Sequence, residues 1–108
     1  MKQSFLDNLL AFYAEDPTDP FNVYALALEY SKFDIEKASH FFDVLLTSHP
    51  DYLATYYHAA AFFASIEDFE KAKEIYNAGM ILAVKQNNTK THQELVRAYR
   101  GFLDEWEE

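Results

Sequence analysis

The chain has 108 residues and a formal net charge of −9, from nine basic and eighteen acidic side chains. Acid exceeds base in both halves, so no face can supply the dense basic footprint that displaces counterions from nucleic acid. Half of the residues are hydrophobic and 18% are aromatic, which sets disorder of the whole chain aside, while two glycines and three prolines are too few for a many-stranded sandwich or barrel.

With no cysteine, a disulfide framework, a zinc ribbon and a thiol nucleophile are excluded together. Near the N-terminus, Asp7 interrupts the apolar stretch a signal peptide would need, and no later run reaches membrane-spanning length. The expectation is a cytoplasmic protein with no membrane partner.

Helical periodicity begins at once: Phe5, Leu6, Leu9, Leu10, Phe12 and Tyr13 recur at three- and four-residue spacings, predicting a first helix over about residues 2–14. Pro17 and Pro20 end it, and Asp19 is placed to cap a second helix over about 20–31. A third helix starts behind Asp34 and stops at Ser48-His49-Pro50, and a fourth is predicted over about 51–64. Asp68 opens a fifth, which ends near Asn87-Asn88. Thr91 followed by Glu94 reads as a capping box for a sixth, with Leu95, Val96, Tyr99, Phe102, Leu103 and Trp106 on its apolar stripe.

The chain repeats itself. Asp34-Ile35-Glu36-Lys37-Ala38 recurs thirty-four residues later as Asp68-Phe69-Glu70-Lys71-Ala72, and each copy is followed four residues after its alanine by an aromatic, Phe42 or Tyr76. In the preceding helices Val23, Leu26, Ala27 and Tyr30 match Tyr56, Ala59, Ala60 and Phe63 at an offset of thirty-three, which Pro17 and Pro50 share. Two antiparallel helices approach closely only where side chains are minimal, so Ala27, Ala38, Ala60, Ala72 and Gly79 read as packing positions, with the aromatics filling the space beside them.

This order of aromatic, small, aromatic, alanine and aromatic residues resembles the tetratricopeptide repeat (TPR) signature, in its small bacterial type. The resemblance covers residues 17–84 directly. It implies an all-α fold, a right-handed α-α solenoid of helix-turn-helix repeats with about six helices. Residues 1–108 then form a single domain: a half-repeat helix over 1–16, repeats over 17–50 and 51–88, and a capping helix over 89–108. There are departures. The first repeat is one residue shorter between its helices, which predicts a tighter turn, and Val84 stands where a second closing proline was due, so the fifth helix should run on by a turn.

His40, His49, His58 and His92 show neither i, i+4 pairing nor a His-Glu-x-x-His order, no carboxylate pair stands apart for acid-base work, and two glycines cannot build a phosphate-cradling loop. No catalytic, metal or cofactor residues are assigned, and the chain is not expected to be an enzyme. The resemblance implies instead a protein or peptide partner, held on the inner surface lined by the first helix of each repeat. Periodicity turns Phe21, Tyr24 and Leu28 that way from one helix and Tyr57, Ala61 and Ala64 from the next. Some family members grip a peptide's terminal carboxylate with lysines and asparagines on this surface. The corresponding positions here have neither, and an apolar surface suits an amphipathic helix or hydrophobic strip. The alternative is that the chain's own terminal helices, or a second copy in a homodimer, cover the same residues.

Overall fold

The structure is a computed structural model that describes residues 4–106. Those residues form six helices and no strands: α1 (Phe5–Glu15), α2 (Pro20–Tyr30), α3 (Ile35–Ser48), α4 (Ala54–Ser65), α5 (Phe69–Lys85) and α6 (Thr89–Trp106). They divide into two compact units, Met1–Tyr52 and Leu53–Glu108.

In the first unit α1 packs on α2 and α2 on α3. Local chemistry opens each helix. Ser4 and Asp7 form a reciprocal capping box at α1, Asp19 accepts from the Phe21 amide at 2.9 Å behind Pro20, and Asp34 Oδ1 accepts from the Lys37 amide at 3.1 Å. The far end of α1 is also held from outside the helix: Asn22 donates from Nδ2 to the carbonyls of Phe12 (3.2 Å) and Asp16 (3.1 Å), which also accept the backbone amides of Asp16 and Asp19 respectively. Val23, Leu26, Ala27, Tyr30, Ala38, Phe42 and Leu45 are buried and make the core.

In the second unit α4 packs on α5, α5 on α6, and α6 also touches α4. Tyr56, Ala59, Ala60, Phe63, Ala72 and Tyr76 repeat the buried pattern, joined by Leu82, Leu95 and Phe102. The recurring Asp-x-Glu-Lys-Ala segment now has a physical account at three of its positions. Its aspartate caps the second helix of the pair, its alanine permits close approach, and its lysine reaches back over an aromatic ring of the first helix. Lys37 Nζ lies 5.6 Å from the Tyr30 ring centroid and Lys71 Nζ lies 4.2 Å from that of Phe63.

The inter-helix turns differ as their lengths require. After α2 the Asp34 amide bonds to the Tyr30 carbonyl at 2.7 Å, and the turn needs no left-handed residue. After α4 the extra residue carries the helix past Phe63. Glu67 adopts φ 66°, and the Asp68 amide closes onto the Phe63 carbonyl at 2.9 Å. The α5 terminus repeats this closure, with Asn87 at φ 58° and the Asn88 amide bonded to the Ala83 carbonyl at 2.8 Å. As its missing proline implied, α5 is longer than α3, 17 residues against 14.

Three boundaries depart from expectation. The first helix, expected over about residues 2–14, begins at Phe5 behind the extended Ser4 cap, and residues 2 and 3 lie outside the described residues. The fourth helix begins at Ala54 rather than Asp51, because the Tyr52 amide turns back onto the His49 carbonyl at 3.0 Å, leaving Tyr52 outside the helix with its ring against Tyr24. The sixth begins at Thr89 rather than Thr91. Its cap is Asn88, whose Oδ1 accepts from the Thr91 amide at 3.0 Å, so Thr91 and Glu94 do not form the anticipated box. The left-handed Asn87 turns the Asn88 carboxamide toward those free amides.

Candidate partner-binding groove

Within the second unit, α4 and α6 stand on either side of a groove of about 670 Å3. Tyr57, Ala61 and Ala64 line it from α4, at the three- and four-residue spacing that keeps them on one face. Ala98, Gly101, Glu105 and Trp106 line it from α6, with Tyr76 of α5 between and Glu67 and Phe69 at one end. The groove stays open because its walls carry Ala and Gly where larger residues would fill it. Tyr57 is 43% exposed and presents a ring edge to His58, centroids 5.3 Å apart.

Aromatic stacking holds the α6 wall in place. Trp106 stacks on Phe69 at 5.1 Å and lies 5.4 Å from Phe102, and Tyr76 lies 5.5 Å from Phe102 and 5.6 Å from Tyr99. Such pairs each contribute roughly 0.5–1.5 kcal/mol beyond the area they bury, so α6 is pinned along half its length. The same helix carries Glu94, Ala98, Gly101 and Glu105 on an adjoining stripe. Gly101 is exposed in mid-helix, where glycine costs roughly 1 kcal/mol relative to alanine, and a β-carbon there would meet no atom within 4 Å.

The groove is electrostatically one-sided. Glu67 and Glu105 line it, no lysine or arginine does, and neither carboxylate has a cationic partner among the described residues. Burial raises the Tyr76 phenol above its ordinary value, with Tyr57 and Glu105 adding to the shift, so Tyr76 is a neutral phenol at physiological pH.

Solved structures of tetratricopeptide repeat proteins resemble this chain in fold and sequence. A tetratricopeptide repeat domain protein from Salinibacter ruber, determined in solution by NMR, is 34% identical and superposes with a TM-score of 0.75 over 81% of this chain and 89% of that one. The crystal structure of a tetratricopeptide repeat domain protein from the same organism is 33% identical, with a TM-score of 0.71 over 78% of this chain and 94% of that one. This chain belongs to the tetratricopeptide repeat family. No family model matches it, and no curated protein does.

The TPR pattern residues of both repeats are buried, and the six expected contact residues lie outside the core. Three of them, Tyr57, Ala61 and Ala64, share the α4 wall of the groove. The other three lie on α2 of the first unit, where Phe21 is 58% exposed and Tyr24 and Leu28 are half-buried. Tyr24 meets Tyr52 edge-on at 5.8 Å, and both phenols are raised, chiefly by burial, then by Tyr52 at Tyr24 and by Asp19 at Tyr52. A smaller cavity of about 350 Å3 beside Tyr52, lined by Pro20, Ser48, His49, Pro50 and Asp51, takes in none of the six.

Sequence reasoning missed the opposite wall of the groove. The sixth helix reads as a cap because its apolar stripe is prominent and masks the stripe beside it. A glycine flanked by helix formers, in register with Ala98 and two glutamates, was the available signal. Among the described residues no group of three His, Cys, Asp or Glu could hold a metal ion, and no helix is long and apolar enough to cross a membrane.

Proposed function

We propose that this TPR chain is a non-catalytic interaction module that takes a peptide or helix of a partner protein, with the α4/α6 groove as its main contact surface. One observation carries the reading: a groove of about 670 Å3 that the chain's own side chains leave unfilled, bounded by a half-exposed tyrosine and by Ala and Gly walls. A tyrosine at such an edge offers rigid contact area and a polar tip, and small residues let a partner's backbone or side chains approach closely. The α2 face of Phe21, Tyr24 and Leu28 serves as a second contact set in the same reading.

Site-specific photocrosslinking tests it. A photoreactive phenylalanine analogue placed at Tyr57 should yield a discrete heterologous adduct in cells, while the same probe at Ile81, 71% exposed on α5 and outside the groove lining, should not. Filling the groove by Ala61→Trp should abolish the Tyr57 adduct. An adduct between two copies of the chain would favour self-association through this face, and adducts at Ile81 alone would overturn the assignment.

A further inference from the structure

We infer that the groove's occupant is a basic partner segment with one bulky apolar side chain seated over Gly101 and lysine or arginine on either side of it. The inference rests on the interaction reading above and specifies the partner's chemistry. Gly79 and Gly101 are the chain's two glycines, and their surroundings are opposite. Gly79 is required by the chain's own packing against Tyr56, whereas a β-carbon at Gly101 would meet nothing within 4 Å. The conformational cost of Gly101 therefore gains nothing inside the molecule, and what it secures is width in the groove between Ala98 and Glu105. A volume of about 670 Å3 lies within the range of pockets that enclose ligands of drug size, room for a large side chain together with its neighbours.

Charge selects among occupants. Glu67 and Glu105 face the groove with no cationic partner among the described residues, and Glu94 continues the Ala98–Gly101–Glu105 stripe by one more turn. An acidic segment would set like charges together, and a second copy of this chain brings a formal charge of −9. A segment with lysine or arginine flanking its anchor neutralises both carboxylates. Rim pairs of this kind are individually weak and screened by salt, so they discriminate between partners while the anchor supplies most of the affinity.

The experiment selects a displayed library of random linear peptides on the full chain, then measures recovered peptides by fluorescence anisotropy against wild type, Gly101→Leu and the double variant Glu67→Gln, Glu105→Gln. Replacing a mid-helix glycine with leucine in open space favours the helix, so a folded Gly101→Leu protein is expected and is checked by thermal melting. Recovered peptides should combine Trp, Phe or Leu with nearby Lys or Arg. They should lose at least about tenfold in affinity to Gly101→Leu and about three- to tenfold to the double variant at low salt, the latter loss shrinking as salt rises. Neutral or acidic peptides that nevertheless lose binding to Gly101→Leu would overturn the basic-partner inference and leave the groove reading standing. Peptides indifferent to Gly101→Leu, or a selection yielding none, would overturn both.

Discussion

The backbone of α5 at Gly79 presses against Tyr56 of α4 so closely that a β-carbon on the glycine would lie 2.7 Å from Tyr56 Cβ and 3.1 Å from Leu95 Cδ1. By the repeat offsets the first unit has Leu45 and Val23 at these positions, both fully buried. Bulk is shared between the helices in one repeat and concentrated on Tyr56 in the other. Gly79→Ala gains helix propensity but must move backbone-proximal atoms, so it should destabilise by about 1–3 kcal/mol. Gly101→Ala gains the propensity with nothing to displace and should stabilise by about 0.5–1 kcal/mol. Urea denaturation midpoints at an unchanged slope should show the two opposite signs.

Glu67 at φ 66° adopts a left-handed conformation that its β-carbon disfavours, whereas Asn87 at φ 58° is a residue type that tolerates it. Glu67→Gly should therefore stabilise by about 1 kcal/mol, and Asn87→Ala should destabilise by about 1 kcal/mol. Equal shifts for alanine at both sites would show that the left-handed closures do not govern these helix ends.

Thr55 is fully buried in α4, and its Oγ1 finds no hydrogen-bond partner among the described residues. Thr55→Val keeps the shape and removes the unsatisfied hydroxyl, and should stabilise by about 1 kcal/mol. Thr55→Ser, which keeps the hydroxyl and loses the methyl, should destabilise. A destabilised Val variant would mean the hydroxyl is satisfied in solution.

The phenols of Tyr24, Tyr52 and Tyr76 are all raised, with burial the first cause of each. A buried phenol holds its proton in the folded state at pH values where the unfolded chain has released it. The associated stability is present below the unfolded value near pH 10 and is lost as pH rises through the folded value. Absorbance at 295 nm should show late-titrating tyrosines, and urea melts should weaken above about pH 10. Tyr76→Phe should remove one late phenol and flatten that alkaline loss, and an unchanged profile would place the effect elsewhere.

The sequence was legible wherever the deciding interactions are close along the chain. The thirty-three- and thirty-four-residue recurrences pointed to Ala27, Ala38, Ala60 and Ala72 as packing positions, and all four are buried. Asp19, Asp34 and Asp68 were readable as caps because a capping oxygen acts within three residues of itself. The cap of α6 was misplaced for a related reason. Asn88 becomes the cap once Asn87 turns left-handed, and a positive φ at a residue other than glycine leaves only a weak mark in the sequence.

By itself, then, the sequence determined the helical repeat, its buried residues and which faces of α2 and α4 point away from the core, all of it through periodicity and short-range chemistry. Only the tertiary structure decided that α6 supplies a second wall facing Tyr57, Ala61 and Ala64, that Gly101 has open space where Gly79 has none, and that the groove's charge is wholly acidic. Those properties depend on where helices distant along the chain come to rest across α5. Helical spacing shows which residues share a face, and the packing of one helix on another decides what each face meets.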